Sequence, residues 1–165
     1  MKILGLDPGN AITGYGLIRA EKGDYVLETF GALRTPAGMP AGQRLRMLYD
    51  GLNQLIEKLQ PDQVAIEQLF FNKNVNTAIP VGQARGILLL ACAQKDLPVA
   101  EYTPLQVKQA LTGYGRADKP QIQYMVCRLL KMAAPPKNDD AADALAIAIT
   151  HAHYYHGRKL RGEIS

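Results

Sequence analysis

The spacing of apolar and polar positions changes its period along the chain, and those changes lay out the elements. Ile3-Leu4-Gly5-Leu6 is an unbroken apolar run closed by Asp7, so residues 2–7 are predicted as a short buried strand. Residues 13–19 and 25–33 read as two further strands, with turn residues at Pro8-Gly9-Asn10 and Lys22-Gly23-Asp24 between them. Three strands in succession predict an antiparallel meander. From 42 to 60 the period lengthens: Leu45, Leu48, Leu52, Leu55 and Leu59 recur at alternating steps of three and four, an amphipathic helix that Pro61 ends. A strand at 64–67, a helix at 77–96, a strand at 98–102 and helices at 104–111, 119–132 and 139–155 complete the pattern. Within the second helix, Gly86-Ile87-Leu88-Leu89-Leu90-Ala91-Cys92-Ala93 is apolar on every side. One side is expected on the sheet, and the other is covered either by a partner subunit or within the same subunit.

A meander followed by alternating strands and helices predicts an α/β three-layer fold, a mixed five-stranded sheet flanked by helices. No linker, repeat or low-complexity tract divides the chain. Residues 1–156 are expected to form one domain, and 157–165, with Arg158, Lys159 and Arg161, a short basic and mobile tail.

Composition narrows the setting. At 165 residues and 47% hydrophobic, the chain can bury one full core, and its apolar runs are too short and interrupted to span a membrane. The first residues carry neither a secretory apolar segment nor a transit-peptide pattern, which leads to the expectation of a cytoplasmic protein. Cys92 and Cys127 sit in helical patterns without metal-ligand spacing and are expected as reduced thiols. His151, His153 and His156 are placed at or beyond the last helical turn, in surface or helix-end roles.

Four acids stand where acid is costly. Asp7 and Glu67 each end an apolar strand, and Asp140 and Asp143 precede the run Ala144-Leu145-Ala146-Ile147-Ala148-Ile149. An ionised carboxylate removed from water without a partner costs several kcal/mol or more, so the set calls for a cation. Asp7 before Pro8-Gly9 also suits a turn, and Asn138-Asp139-Asp140 suits a helix start. Spacing alone does not choose between Asp139 and Asp140, because i,i+4 and i,i+3 to Asp143 share one helix face. Setting the four aside, eleven of the fifteen acidic residues remain against nineteen basic ones; the overall formal charge is +4. A surface of that sign suits a polyanion. Several carboxylates near a phosphate backbone fit a hydrolysis in which two divalent ions activate water and stabilise the leaving oxygen. Hard oxygen donors favour Mg²⁺, with Mn²⁺ able to substitute.

Leu6-Asp7-Pro8-Gly9 with Thr13-Gly14-Tyr15-Gly16, then Ala65-Ile66-Glu67-Gln68, Gly82-Gln83-Ala84-Arg85-Gly86 and Asp140-Ala141-Ala142-Asp143-Ala144-Leu145-Ala146 together resemble the bacterial RuvC Holliday junction resolvases. The resemblance runs from Lys2 to about His153. It implies an RNase H-like fold, a homodimer whose two sites cut opposed strands of a four-way DNA junction, and work beside the RuvA and RuvB branch-migration proteins. It further implies that Asp7, Glu67, Asp140 and Asp143 are the catalytic, metal-holding acids, and that Asp139 belongs to the helix start. Some relatives carry His at the place of Asp140.

By the same resemblance, Phe70 matches an aromatic that stacks on an unpaired base at the junction point. Lys108 and Lys119 match basic positions near DNA. Arg85, Lys73 and Arg116 are further candidates for phosphate contact, while Phe71 is expected to pack on the core.

Other function classes remain. The Asp7-Pro8-Gly9 turn with Thr13-Gly14 also resembles the phosphate loop of actin-like and sugar-kinase ATPases, but those enzymes need two such domains, and no second loop is present. A related nuclease acting on RNA is disfavoured by Phe70 and the Gly-Gln-Ala-Arg-Gly helix, and a non-catalytic junction-binding dimer by the intact acid quartet.

Overall fold

The structure, a computed structural model, describes residues 1–9, 11–21, 23–68 and 75–164. The predicted meander forms from β1 (Lys2–Pro8), β2 (Ile12–Glu21) and β3 (Asp24–Arg34). It continues through α1 (Ala41–Leu59), β4 (Gln63–Glu67), α2 (Val75–Ala93), β5 (Val99–Tyr102), α3 (Pro104–Thr112), α4 (Lys119–Leu129) and α5 (Asp139–Leu160). The five strands lie in the order β3-β2-β1-β4-β5. β1 runs antiparallel to β2 and parallel to β4, and β5 is parallel to β4, so the sheet is mixed as expected.

Local chemistry sets the element ends. Gln60 ends α1 in the left-handed region at φ 48°, its amide bonded to the Ile56 carbonyl at 2.8 Å, immediately before Pro61. Reciprocal capping boxes open α3 and α4: Thr103 with Gln106, and Asp118 with Gln121. Gly113, at φ 70°, closes α3 in the left-handed region, which favours a residue without a Cβ. The Asn138 side chain accepts from the Asp140 and Ala141 amides and opens α5. That helix runs on to Leu160, past the predicted end at 155 and into the segment expected to be a mobile tail. A single Gly157 costs a helix only about 1 kcal/mol, and Arg158 and Lys159 suit its negative C-terminal end.

Strand alternation divides the core between the two faces. Leu4, Leu6, Val64 and Ile66 pack with Leu48 and Leu52 of α1 and Leu88 of α2. Ile3, Ile18 and Ala65 pack with Val107, Val126 and the Leu145–Ile149 stretch of α5 on the opposite face. Here α5 crosses the sheet at backbone contact. A Cβ on Gly5 would overlap the Ala144 carbonyl, one on Gly14 the Asp140 carbonyl, and one on Gly16 would stand 2.6 Å from Leu145 Cδ2. Because Gly5 pairs with Gly16 across β1 and β2, these glycines form a flat track that fixes where α5 lies.

The apolar segment of α2 is buried on one side only. Leu88, Ala91 and Cys92 are covered, whereas Ile79 and Leu90 are 60% and 49% exposed. Burial wholly within one subunit, one of the two expectations for this helix, is not what the described residues give. A sheet covers only one side of a helix, and the residues of α1 join the same buried cluster as Leu88, Ala91 and Cys92, which leaves the side of Ile79 and Leu90 open. Both cysteines are free, Cys92 buried and Cys127 half-buried. No helix among the described residues is long and apolar enough to cross a membrane.

Candidate active site

The register of the sheet brings the two strand-end acids together. Leu6 of β1 pairs with Ile66 of β4, so Asp7 and Glu67 are the next residues on parallel neighbours. Leu6 and Ile66 face α1 and α2, and alternation therefore turns Asp7 and Glu67 to the face that α5 crosses. Asp7 also pairs with Gly14 on β2, and Gly14 lies against the Asp140 backbone. Thus the glycine track carries the start of α5, with Asp140 and Asp143, to the ends of β1 and β4.

The electrostatics report the same convergence. Burial first, then Asp143, Glu67 and Asp140, push the Asp7 carboxyl up from 3.8 to about 7. Burial and Asp143 raise Glu67. Burial raises Asp143, and Lys119 opposes that rise. Lys119 Nζ stands 3.4 Å from Asp143 Oδ2 and 3.1 Å from Asp139 Oδ2. Asp139, first residue of α5, is also held by Gln123 Nε2 at 3.2 Å. It lies on the outer side of the cluster.

A cavity of about 240 Å³ opens over these groups, lined among others by Glu67, Lys108, Asp118, Lys119 and Asp143. Hence Lys108 from α3 and Lys119 from α4 flank the acids from one side. Arg116 is exposed in the α3–α4 loop. Arg85 is placed differently: it pairs with Glu101 of β5, its side chain is 16% exposed, and its Nε is buried without a partner among the described residues. A phosphate contact there would have to compete with Glu101. Phe70, Phe71 and Lys73 lie outside the described residues.

The donor set suits a hard divalent cation: four carboxylates, two of them held in conformations the sheet dictates, with Asp7, Glu67 and Asp143 raised first by burial and then by neighbouring acids. Among the described residues no three His, Cys, Asp or Glu side chains, as they stand, are close enough together to hold a metal ion. Among the described residues the positive group at Asp143 is the Lys119 ammonium.

Two features escaped the sequence reading. Asp118 caps α4 and also lines the cavity. His151, expected at a helix end, is 6% exposed in the middle of the longer α5, bonded through Nδ1 to Tyr102 Oη at 2.8 Å and through Nε2 to Gln63 Oε1 at 2.5 Å. Its position four residues after Ile147 continues the buried stripe of α5, which was the available signal.

Residues 3–151 match the family described as crossover junction endodeoxyribonuclease RuvC. The chain belongs to the RuvC family. The relative of that description in Moorella thermoacetica is 53% identical over 165 residues, 100% of this chain and 99% of its own length. A solved RuvC structure from Thermus thermophilus superposes with TM-score 0.89 at 36% identity, covering 95% of this chain and 96% of that one. The T. thermophilus RuvC in complex with a Holliday junction substrate gives TM-score 0.87 at 32% identity and the same coverage. The fold is accordingly the RNase H-like α/β fold of that family.

Proposed function

We propose that the chain resolves four-way DNA junctions by hydrolysing phosphodiester bonds on two opposed strands, with Asp7, Glu67, Asp140 and Asp143 as its catalytic and metal-holding acids. The observation that carries the reading is the convergence of four acids, from two neighbouring strand ends and one helix start, beside Lys108 and Lys119. When bound, a pair of Mg²⁺ ions supplies Lewis acidity at the phosphate and a water of lowered pKa, and Mn²⁺ substitutes for it.

The chain's own residues do the remaining work. The sheet holds Asp7 and Glu67 with little freedom, so the donors are positioned before substrate arrives. Asp140 and Asp143 approach from the N-terminal turn of α5. Lys108, Lys119 and Arg116 grip the DNA backbone as positive charges, with Lys73 as an outlying contact, while Arg85 is engaged by Glu101. Phe70, just beyond Glu67 in sequence, stacks on an unpaired base and so ties the cutting site to the branch point.

Symmetric cutting needs two sites, and the open side of α2 is suited to joining two copies. Ile79, Gly82, Gly86 and Leu90 follow one another at helical spacing, and among the described residues nothing lies within 4 Å of a Cβ built on either glycine. The functional unit is then a homodimer acting in the cytoplasm beside RuvA and RuvB.

The test is incubation with a mobile synthetic junction and a matched linear duplex, with and without Mg²⁺. Paired symmetric nicks confined to the junction and to the Mg²⁺ arm are expected. Cutting of RNA, or ATP hydrolysis without nicking, would overturn the reading.

A further inference from the structure

Lys119 is the first residue of α4, fixed at its backbone by the Asp118–Gln121 capping box but half-exposed along its side chain. Its ammonium reaches into the acid cluster and touches both Asp139 and Asp143. The longer of the two contacts, 3.4 Å, is to Asp143, and the shorter, 3.1 Å, is to Asp139 on the outer side. A cation in this place relieves repulsion among carboxylates that would otherwise be forced together by the sheet and α5. It also engages one oxygen, Oδ2, of the Asp143 carboxylate and acts on Asp7 as well, so it shares these acids with any divalent ion they would hold.

We infer that Lys119 is a placeholder cation for the acid cluster: its ammonium occupies Asp143 in the metal-free protein, gives way when a divalent ion binds, and stays tethered by Asp139. This rests on the proposed metal role of Asp143. Asp139 then has a use beyond starting α5, because its carboxylate keeps the displaced ammonium at the edge of the site. The exchange substitutes one cation for another at Asp143, so the cluster is compensated in both states. The free protein consequently holds metal more weakly than its acids alone would.

The experiment is Mn²⁺ titration of the full chain without DNA, followed by calorimetry and by electron paramagnetic resonance of free Mn²⁺. Working at about pH 8.5, above the Asp7 value, limits proton competition. Lys119→Met should tighten Mn²⁺ binding by roughly threefold, in keeping with a half-exposed ion pair. Lys119→Arg, which keeps the charge, should bind as the unchanged chain does, and thermal melts of all three confirm equal folding. Unchanged or weaker binding by Lys119→Met overturns the inference alone, as does an equal tightening by Lys119→Arg. Failure of the unchanged chain to bind Mn²⁺ at all would instead defeat the metal reading, and this inference with it.

Discussion

Gly14 lies so close to the Asp140 carbonyl that no side chain fits between them, and across the β1–β2 ladder the same glycine is the partner of Asp7. One missing Cβ therefore sets the spacing between an acid on the sheet and an acid on the helix. Gly14→Ala should lift the start of α5 from β2. Overpacking against backbone costs about 1–3 kcal/mol, and displacement of reacting groups by about 1 Å can lower a rate on the order of 100-fold. Urea unfolding and single-turnover junction cleavage should thus show a modest loss of stability and a disproportionate loss of rate. Gly42→Ala in α1, where a Cβ meets nothing within 4 Å, is the control and should leave the rate alone.

Asp7 gives the cluster a pH signature in the absence of metal. Its folded pKa is raised from 3.8 to about 7, so the folded protein keeps this proton across a window in which the unfolded chain releases it. The stability it contributes is full below about pH 3.8 and is lost as pH rises through about 7, by up to about 4 kcal/mol for the whole shift. Asp7→Asn cannot ionise. Without metal it should be the more stable protein at pH 8, with the advantage over the unchanged chain shrinking toward pH 4. The same variant should bind junctions and fail to cut them. Chemical denaturation across this pH range tests the first outcome, and gel-shift with cleavage assays the second; equal stability at both pH values would mean that Asp7 is not confined among acids.

The basic residues should separate by the kind of loss they cause. Lys108 borders the cavity with its charge free of any shown carboxylate partner among the described residues, so Lys108→Ala should weaken junction binding and reduce the salt slope by about 1. Arg85 is committed to Glu101 across α2 and β5. Arg85→Ala should lower stability and leave the salt slope nearly unchanged. Junction affinity measured over a salt series, beside thermal melts, distinguishes the two. Phe70→Ala should bind nearly normally and cut poorly, which a comparison of affinity with single-turnover rate reads directly.

Period and turn chemistry carried most of this architecture. The leucine stripe of α1 and the two capping boxes are local signals, and the elements they mark begin and end within a few residues of their predicted places. Sheet order was less accessible: nothing local to residues 2–7 and 64–67 states that they are neighbours, and the approach of Asp7 to Glu67 depends on it. The choice of Asp140 over Asp139 came from motif resemblance, since either spacing shares a face with Asp143. Lys119's contact with Asp143 joins residues 24 apart through the packing of α4 on α5, which no periodicity encodes. His151 was misplaced for a simpler reason. The helix was ended five residues early at Tyr155, which turned a mid-helix buried position into an apparent terminus.

That buried histidine leads to the last expectation. Gln63 Oε1 can only accept, so His151 Nε2 carries the proton and Nδ1 accepts from Tyr102 Oη, a neutral ring with both nitrogens used. Burial, assisted by Arg158, lowers its pKa from 6.5 to about 4, and burial raises Tyr102 to about 12. For a depressed base the stability contribution is present above about pH 6.5 and is lost as pH falls through about 4, up to about 3 kcal/mol for the full shift. This slope runs against that of Asp7 and should be clearest in the Asp7→Asn background. Tyr102→Phe leaves Nδ1 buried and unpaired at a cost of about 1–3 kcal/mol, whereas pairing that change with His151→Leu removes the unmet acceptor. The double variant should therefore lose less than the sum of the two single losses, and its stability should be flatter between pH 6.5 and 4. Additive losses with an unchanged acid slope would show that the two rings pack side by side without the hydrogen bond contributing to the fold.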